Sequence, residues 1–317
     1  MNRTLYILIV ALVLIGAFWW LWSSGHIAGT GPSATSTATS TQDLSITEQA
    51  YVALNGAAIT LPERPEVSLT VTKNSDGTWG AQWASPVDSS DRAFLSFPKQ
   101  QYAAVVGHQA NGAATLLVMP FYVNYGGSGT FLYLGLFTLT GNGPLIYRDA
   151  IALDDRVAVS SLVAGKDEGT AALKFLTRYS DQGLATEPKV PAFEIFAREG
   201  DTLKVLMRGE NVDMDTVSIV SPVAGAALPR DFIVTGSARG WYFEASFPIR
   251  VIDQAGNQLG QGVAQAQGDW MTTNPVPFKA SVSVGKYQGP AILMLMKDNP
   301  SGEVKNDASI QIPITIQ

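Results

Sequence analysis

The sequence predicts a mainly β protein with an N-terminal transmembrane helix, a β-rich first domain (α+β is the alternative) and a C-terminal seven-stranded sandwich. Three observations support this prediction. Residues 5–22 form an apolar run without a charged side chain. Short β-prone segments then alternate with turns rich in glycine, proline and asparagine. Charged residues make up only 15% of the chain, a composition that suits β-rich extracytoplasmic domains.

The apolar run is predicted to anchor the protein in a membrane. A helix of this length would be roughly 27 Å long, close to the thickness of the hydrocarbon core of a bilayer. Each Leu, Ile, Val or Phe within it favours insertion by about 0.3–0.6 kcal/mol. Tryptophans cluster at its far end, where aromatic side chains suit the membrane interface. The residues singled out are Leu5, Ile9, Leu12, Ile15, Trp19, Trp20 and Trp22.

A cleaved signal peptide is the alternative interpretation of this run. Signal peptides have a shorter apolar region, about 7–15 residues, followed by a small-x-small cleavage site. Here the run is longer and no Ala-x-Ala sequence follows it. Arg3 precedes the run and the next Lys or Arg is Arg64, so the positive-inside rule places the N-terminus in the cytoplasm. We therefore expect a single-pass cell-membrane protein that contacts the bilayer through residues 5–22 and has its bulk outside.

The domain organisation follows from changes in composition. The run Gly29–Thr41 contains no charge and no apolar residue larger than alanine, so it cannot bury a core. A plain linker and an O-glycosylated spacer both fit it. The predicted segments are a cytoplasmic tail (1–4), the anchor (5–22), a flexible linker (23–43), a β-rich extracytoplasmic domain (44–210) and the sandwich (216–317).

Charge and residue content argue against several functional classes. A net charge of −6 argues against a nucleic-acid partner, which requires a basic surface. The chain has no cysteine, which excludes disulfides, thiol nucleophiles and a lipid anchor on cysteine. His26 and His108 are its two histidines, too few for a multi-histidine metal site and poorly placed for a catalytic triad. We expect no metal and no cofactor.

Several strands are predicted in the first domain. Thr115–Val123 is apolar at nearly every position, which indicates a central strand buried on both faces. Helices are considered only at Ser45–Leu54 and at Lys99–Gly107. The other predicted strands are 57–61, 67–72, 130–139, 151–159, 171–177 and 203–208.

Residues 46–208 carry three motifs, at Tyr125–Phe131 (YGGSGTF), Ala152–Val157 (ALDDRV) and Leu176-Thr177. This pattern resembles a module of secreted bacterial proteins that has no established activity, so the resemblance implies architecture alone. The module usually carries an acidic loop before the Gly-Gly turn, similar to a calcium-binding loop. Here the corresponding residues 107–113 contain no carboxylate, and we expect no calcium there.

The sandwich begins after a polar segment at residues 209–216, where we place the domain boundary. Seven short strands separated by regular turns in about a hundred residues are typical of this architecture. The clearest alternates Phe278, Ala280, Val282 and Val284 on one face. The predicted strands are 217–220, 232–238, 244–253, 258–266, 278–284, 291–296 and 310–316.

The same region carries a second resemblance. The segments Ile219–Pro222, Val234–Ala238, Phe247–Asp253 and Ile312–Ile314 are similar in order and spacing to the immunoglobulin-like domain associated with bacterial spore germination proteins. The resemblance covers 217–317. It implies a non-catalytic immunoglobulin-like sandwich appended to another envelope-facing module.

The glycine-rich segment containing Gly126, Gly127 and Gly129 is interpreted as a turn. It joins a predicted strand to a predicted strand and lacks the helix N-terminus that phosphate binding requires. Phosphate binding is therefore the weaker interpretation.

Asp154-Asp155-Arg156 is the sequence that comes closest to a catalytic site. Paired carboxylates can perform acid–base chemistry when their environments separate their pKa values. Neighbours in a strand point to opposite faces, however, so these two cannot act on one substrate atom. We expect Asp155 and Arg156 to fix a loop by hydrogen bonds instead.

Aromatic residues offer two candidate binding surfaces. In the sandwich, Trp241, Tyr242 and Trp270 are predicted to form an interaction surface, with Trp241 exposed after Arg239-Gly240. In the first domain a carbohydrate-stacking face is the alternative to core packing for Trp79, Trp83, Tyr102, Tyr122, Tyr125 and Tyr133.

The sequence thus predicts a non-catalytic envelope protein that binds an envelope protein or glycan, or takes part in assembly. The first alternative is an enzyme that acts on cell-wall or surface polymers through carboxylates of the first domain, since such chemistry needs only two acids. The second alternative is a purely structural spacer.

Overall fold

The computed structural model describes residues 44–109, 112–141 and 143–317. They belong to one compact unit, Leu44–Gln317. The predicted tail, anchor and linker, residues 1–43, lie outside the described residues. Within the described part of the chain, no helix is both long and apolar enough to cross a membrane. The described fold is mainly β, as the sequence predicts.

The unit begins with a short helix, α1 (Ile46–Val52). The Ser45 side chain accepts a hydrogen bond from the Glu48 N–H, and the Glu48 carboxylate accepts one from the Ser45 N–H at 2.8 Å. This reciprocal capping box satisfies two N–H groups that a helix start would leave unpaired. The helix considered at this place is therefore confirmed. The other candidate, residues 99–107, is wrong, because its second half enters the strand Ala104–His108.

A seven-stranded antiparallel sheet and a separate hairpin follow. The hairpin consists of β1 (Ala58–Leu61) and β2 (Arg64–Thr70). The strands of the sheet are β3 (Thr72–Lys73), β4 (Trp79–Ala84), β5 (Arg92–Ser96), β6 (Ala104–His108), β7 (Ala114–Asn124), β8 (Phe131–Thr140) and β9 (Ile146–Asp155). Their pairing order is β3–β4–β5–β7–β8–β9, and β6 also pairs with β7.

The remaining strands form one long sheet. They are β10 (Ala158–Ala164), β11 (Thr170–Thr177), β12 (Val190–Glu199), β13 (Thr202–Glu210), β14 (Val217–Ser221), β15 (Ala227–Leu228), β16 (Asp231–Ala238), β17 (Ser246–Ile252), β18 (Gln258–Ala266), β19 (Val276–Val284), β20 (Gly289–Met296) and β21 (Ser309–Ile316), with a 3-10 turn at Val304–Asn306. The pairing order is β10–β11–β12–β13–β21–β20–β17–β18–β19–β16–β14. Strand β15 pairs in parallel with β21.

The first sheet is buried on both faces because β7 and β8 carry apolar side chains on each side. Phe121 and Tyr133 face a core that α1 and the β1–β2 hairpin close. Leu116 and Leu132 face a second core, built against strands β10–β13. The prediction that residues 115–123 form a strand buried on both faces is confirmed.

Strands β14–β21 surround a third core and form the sandwich. Strand β18 pairs with β17 on one side and with β19 on the other, so the sheet folds over along it. Gly260 permits this close approach, since a Cβ there would lie 2.4 Å from the Ser283 carbonyl oxygen. All seven predicted strands are present, and the two-residue β15 is added to them.

The pairing of β13 with β21, which we call the seam, joins the first half of the unit to the sandwich. It comprises three residue pairs, with Gly209 opposite Ile310 at the centre. Phe193 of β12 is buried in the core cluster of the sandwich. A Cβ at Gly209 would lie 2.2 Å from Cε1 of the Phe193 ring, so only glycine fits beneath that ring. The predicted boundary segment, 209–216, overlaps the last two residues of β13 and otherwise covers the connection to β14; the boundary itself remains a prediction.

Phe193→Ala is expected to destabilise the protein by about 3 kcal/mol or more, because it removes a large buried ring and leaves a cavity beside Gly209. Thermal unfolding of the full-length chain in detergent micelles measures the loss. The matched control is Phe94→Ala, since Phe94 on β5 is 38% exposed and lies outside the buried cores. Equal unfolding midpoints for the two variants would show that Phe193 does not stabilise the seam.

Candidate interaction surface and buried charge cluster

Two loops lie side by side at one end of the sandwich. The first, residues 239–245, connects β16 to β17, and the second, residues 267–275, connects β18 to β19. The Tyr242 hydroxyl donates a hydrogen bond to the Val276 carbonyl at 2.7 Å. The Ala266 N–H donates to the Ala245 carbonyl at 2.8 Å. These bonds hold the first loop against the ends of β18 and β19. The Gln267 N–H donates to the Pro277 carbonyl at 2.8 Å and closes the base of the second loop.

The first loop ends in a tight turn with unusual backbone angles. Phe243 and Ser246 exchange backbone hydrogen bonds of 3.0 and 3.1 Å. The two residues between them, Glu244 and Ala245, have φ values of 48° and 63°. Positive φ at both central positions is the backbone of a type I′ turn, which normally selects Asn-Gly or Gly-Gly. Glutamate and alanine there store strain on the order of 1 kcal/mol each.

The paired loops expose apolar side chains. Phe243 is 42% exposed and Met271 is 77% exposed. Tyr242 and Trp270 are half-buried, and Tyr242 packs against the core of the sandwich. Asp269 is the one charged residue of the segment 266–276. We call Tyr242, Phe243, Trp270 and Met271 the loop surface.

Trp241 does not belong to this surface, and the expectation that it is exposed is wrong. Its side chain is 1% exposed and packs edge-on against Phe247, with ring centroids 6.3 Å apart. Gly240, with φ of 59°, does turn the chain, but the turn directs the next side chain into the sandwich. There the large indole closes the end of the core. Its Nε1 has no hydrogen-bond partner among the described residues, so it contributes packing alone.

The aromatic residues of the first domain do not form an exposed face. Tyr133 and Tyr102 are buried, one in each core of the first sheet. The other members pack against the same two cores: Trp79, Trp83, Tyr122 and Tyr125. The core-packing interpretation of this set is therefore confirmed over the carbohydrate-stacking one.

The glycine-rich segment joins β7 to β8 as a turn, and a single side chain fastens it. Asn124 accepts a hydrogen bond from the Gly126 N–H at 2.8 Å and donates to the carbonyls of Gly127 and Gly129. Gly126 has φ of 85°, a conformation that favours glycine. The backbone groups of the turn are bonded to the Asn124 side chain, and the turn leads into strand β8 and not into a helix. It therefore lacks the helix N-terminus that phosphate binding requires.

Asp155 and Arg156 bind the strand that leaves this turn. Asp155 Oδ1 accepts a hydrogen bond from the Thr130 N–H at 2.7 Å, and the Arg156 N–H donates to the Thr130 carbonyl at 2.7 Å. The Arg156 guanidinium bonds Asp155 Oδ2 at 2.9 Å. Burial would raise the pKa of Asp155, but the bonds from Arg156 and Thr130 outweigh it and hold that pKa below its usual value. The expected loop-fixing role agrees with this geometry.

The adjacent carboxylates Asp154 and Asp155 do not converge on a common pocket with Asp167 and Glu168. Asp154 turns away from Asp155, while Asp167 and Glu168 lie exposed in the turn between β10 and β11. In the described ranges no group of three or more His, Asp or Glu side chains is placed to hold a metal ion. Of the segment 107–113, residues 110 and 111 lie outside those ranges.

One charge cluster was missed by the sequence interpretation. Arg208 on β13 donates to Glu194 at 2.8 Å, to Asp154 at 3.1 Å and to Glu210 at 2.8 Å. We call these four residues the Arg208 cluster. Glu194 is only 5% exposed. In the sequence, Glu194 stands out as a single carboxylate within the otherwise apolar segment Val190–Phe196 (VPAFEIF) of β12.

Ala245→Gly should stabilise the chain by about 0.5–1 kcal/mol, because glycine adopts positive φ without steric cost. The control, Ala255→Gly, lies in another exposed turn where alanine has no positive φ, and it should lower stability by a similar amount. Chemical denaturation of both full-length variants measures the difference. Shifts in the same direction would argue against strain at the loop surface.

Comparison with protein families agrees with the architecture of the sandwich. No curated protein matches the chain. Residues 216–303 match the Gmad2 family model, described as the immunoglobulin-like domain of bacterial spore germination. This part of the chain, from just before β14 to the turn after β20, is thus similar to an immunoglobulin-like domain, a non-catalytic type of fold.

Proposed function

We propose that the protein is a membrane-anchored, non-catalytic component of a bacterial envelope, whose β modules bind or assemble with a partner outside the cell. The anchor is the apolar run at residues 5–22, with the N-terminus in the cytoplasm. The match of residues 216–303 to a bacterial immunoglobulin-like domain supports the bacterial envelope setting. The exposed apolar side chains of the loop surface are the observation that most directly supports the binding role.

The loop surface suits recognition for two reasons. Exposed Phe243 and Met271 offer apolar area that a partner can cover, at about 25 cal/mol per Å². The loop that carries Phe243 is held by hydrogen bonds to the ends of β18 and β19, so it loses little conformational entropy on binding. Because Asp269 is the one charge in the second loop, contacts there would depend on shape and hydrogen bonding more than on charge. An envelope protein or an uncharged glycan has these properties.

A carboxylate-dependent enzyme that acts on wall polymers is the second candidate. Glu194 and Asp154 approach the same guanidinium, and burial raises the pKa of Glu194 to about 7, as a general acid would need. However, Arg208 lies between the two acids and bonds both. A neighbouring cleft of about 220 Å³ is lined by Glu210 and Thr177 but by neither acid. The geometry therefore favours a structural role for the pair.

The membrane location is tested by fractionation and protease access in a bacterial host. The full-length chain should stay in the membrane fraction after alkaline extraction, and protease added to spheroplasts should digest residues 44–317. Leu12→Lys with Ile15→Lys should release it, because each charge at the helix centre costs about 2.5–3.5 kcal/mol. The matched control, Ala34→Lys with Ala38→Lys in the linker, should stay bound. Recovery of the unmodified protein as a soluble chain trimmed near residue 25 would contradict the proposal.

The binding role is tested with immobilised full-length protein and solubilised envelope fractions, analysed for protein and glycan. Phe243→Ser with Met271→Ser should reduce retention of the bound component about tenfold or more, since two apolar contacts are lost. Val220→Ser with Val223→Ser is the control, because both valines are exposed elsewhere on the sandwich. Equal retention by the two double variants would exclude the loop surface as the binding site.

A further inference from the structure

The Arg208 cluster places more negative than positive charge around one buried carboxylate, Glu194, while the other three side chains keep partial contact with water. One guanidinium faces three carboxylates, so two negative charges remain uncompensated when all four groups are ionised. Repulsion between like charges is weakly screened away from water. The carboxylate with the least access to water, Glu194, is the one that gains most by taking up a proton.

The cluster also lies where the parts of the fold meet. Asp154 belongs to β9 of the first sheet, whereas Glu194 and Arg208 belong to β12 and β13 of the long sheet. Arg208 therefore joins the two layers around the second core. In the seam, Arg208 pairs with Gln311 of β21. A change of charge in the cluster therefore changes the stability of two contacts at once: that between β9 and strands β12–β13, and the seam between β13 and β21.

We propose that the Arg208 cluster is a pH-sensitive joint. In a mildly acidic medium Glu194 holds its proton, the excess in the cluster falls from two negative charges to one, and both the seam and the contact between the layers are stable. As the medium becomes alkaline, Glu194 releases its proton to solvent, repulsion from Asp154 and Glu210 grows, and the joint loosens.

The electrostatics of the cluster support this inference. Burial raises the pKa of Glu194 to about 7, with Arg208 opposing the shift and Asp154 and Glu210 adding to it. Burial would lower the pKa of Arg208, but the three carboxylates outweigh it, so the guanidinium stays charged. Asp154 Oδ1 accepts a hydrogen bond from the Asp155 N–H at 2.8 Å, and the Asp155 carboxylate is paired with Arg156. The cluster also contacts neutral groups: the Phe175 ring 5.8 Å from the guanidinium, Thr177 against Asp154, and the seam partners Gln311 and Ser309.

The sign of the pH dependence follows from the raised pKa of Glu194. A carboxyl group whose pKa is higher in the folded state binds its proton more tightly there, so it stabilises the fold at low pH. That contribution is lost as pH rises through about 7. Between about pH 6 and about pH 8 the folding equilibrium constant should fall about tenfold, which lowers the unfolding midpoint by a few degrees.

The experiment measures thermal unfolding of the full-length chain in detergent micelles across this pH range. Hydrogen exchange of the peptide covering residues 202–210, corrected for the intrinsic effect of pH, reports on the seam. Glu194→Gln should abolish the fall in the unfolding midpoint and keep the seam protected at high pH, because the amide oxygen still accepts from Arg208. Glu210→Gln removes a negative charge that raises the pKa of Glu194, so it should move the fall to lower pH and make it smaller, without abolishing it.

Asp181→Asn is the matched control, since it removes one negative charge from an exposed loop and should leave the profile unchanged. A fall in midpoint that persists in Glu194→Gln would overturn the proposal, as would unchanged seam protection in the wild type. Should Glu194→Gln fail to fold, the exchange profiles of Glu210→Gln and of the wild type still test the proposal. Exchange protection of the seam that does not change with pH in either protein would contradict it.

Discussion

The burial of Phe193 within the sandwich core is the constraint on which the rest of the unit depends. Phe193 belongs to β12, whose other face closes the second core of the first half. One short strand segment therefore contributes side chains to two cores at once. Gly209 is required beneath the ring, and it lies at the centre of the seam. Loss of either residue would disturb both halves, because neither core can relax without moving the strand they share.

This shared strand explains why a charged cluster persists at the junction. A buried ion pair is seldom a net source of stability, since the cost of desolvating its charges offsets their attraction. Arg208 instead fixes geometry: its planar fork directs bonds to Glu194 on the neighbouring strand and to Asp154 on the opposite layer. An apolar residue there could pack, but it could not specify which strand of the first sheet meets β13.

Much of the fold could be predicted from the sequence because its signals are local. Alternation along Phe278–Val284 sets the inward face of β19 whatever surrounds it, and the apolar run at 115–123 requires burial on both sides. The Arg208 cluster could not be found in this way. Glu194, Arg208 and Asp154 are brought together by strand register and by the stacking of two sheets, and neither leaves a signature in residue spacing.

The error at Trp241 has a different cause, and it bears on how the loop surface works. The segment 239–243 lies between two predicted strands and is a loop in the structure, but the residues of a loop do not by themselves fix the direction of each side chain. The largest apolar side chain near the end of a sandwich is most stable inside it, because burial in the core lowers the free energy more than an exposed contact with a partner would. With Trp241 closing the core, the backbone beneath Tyr242 and Phe243 is anchored from within. The exposed residues of the loop surface can then contact a partner while the core that supports them stays unchanged.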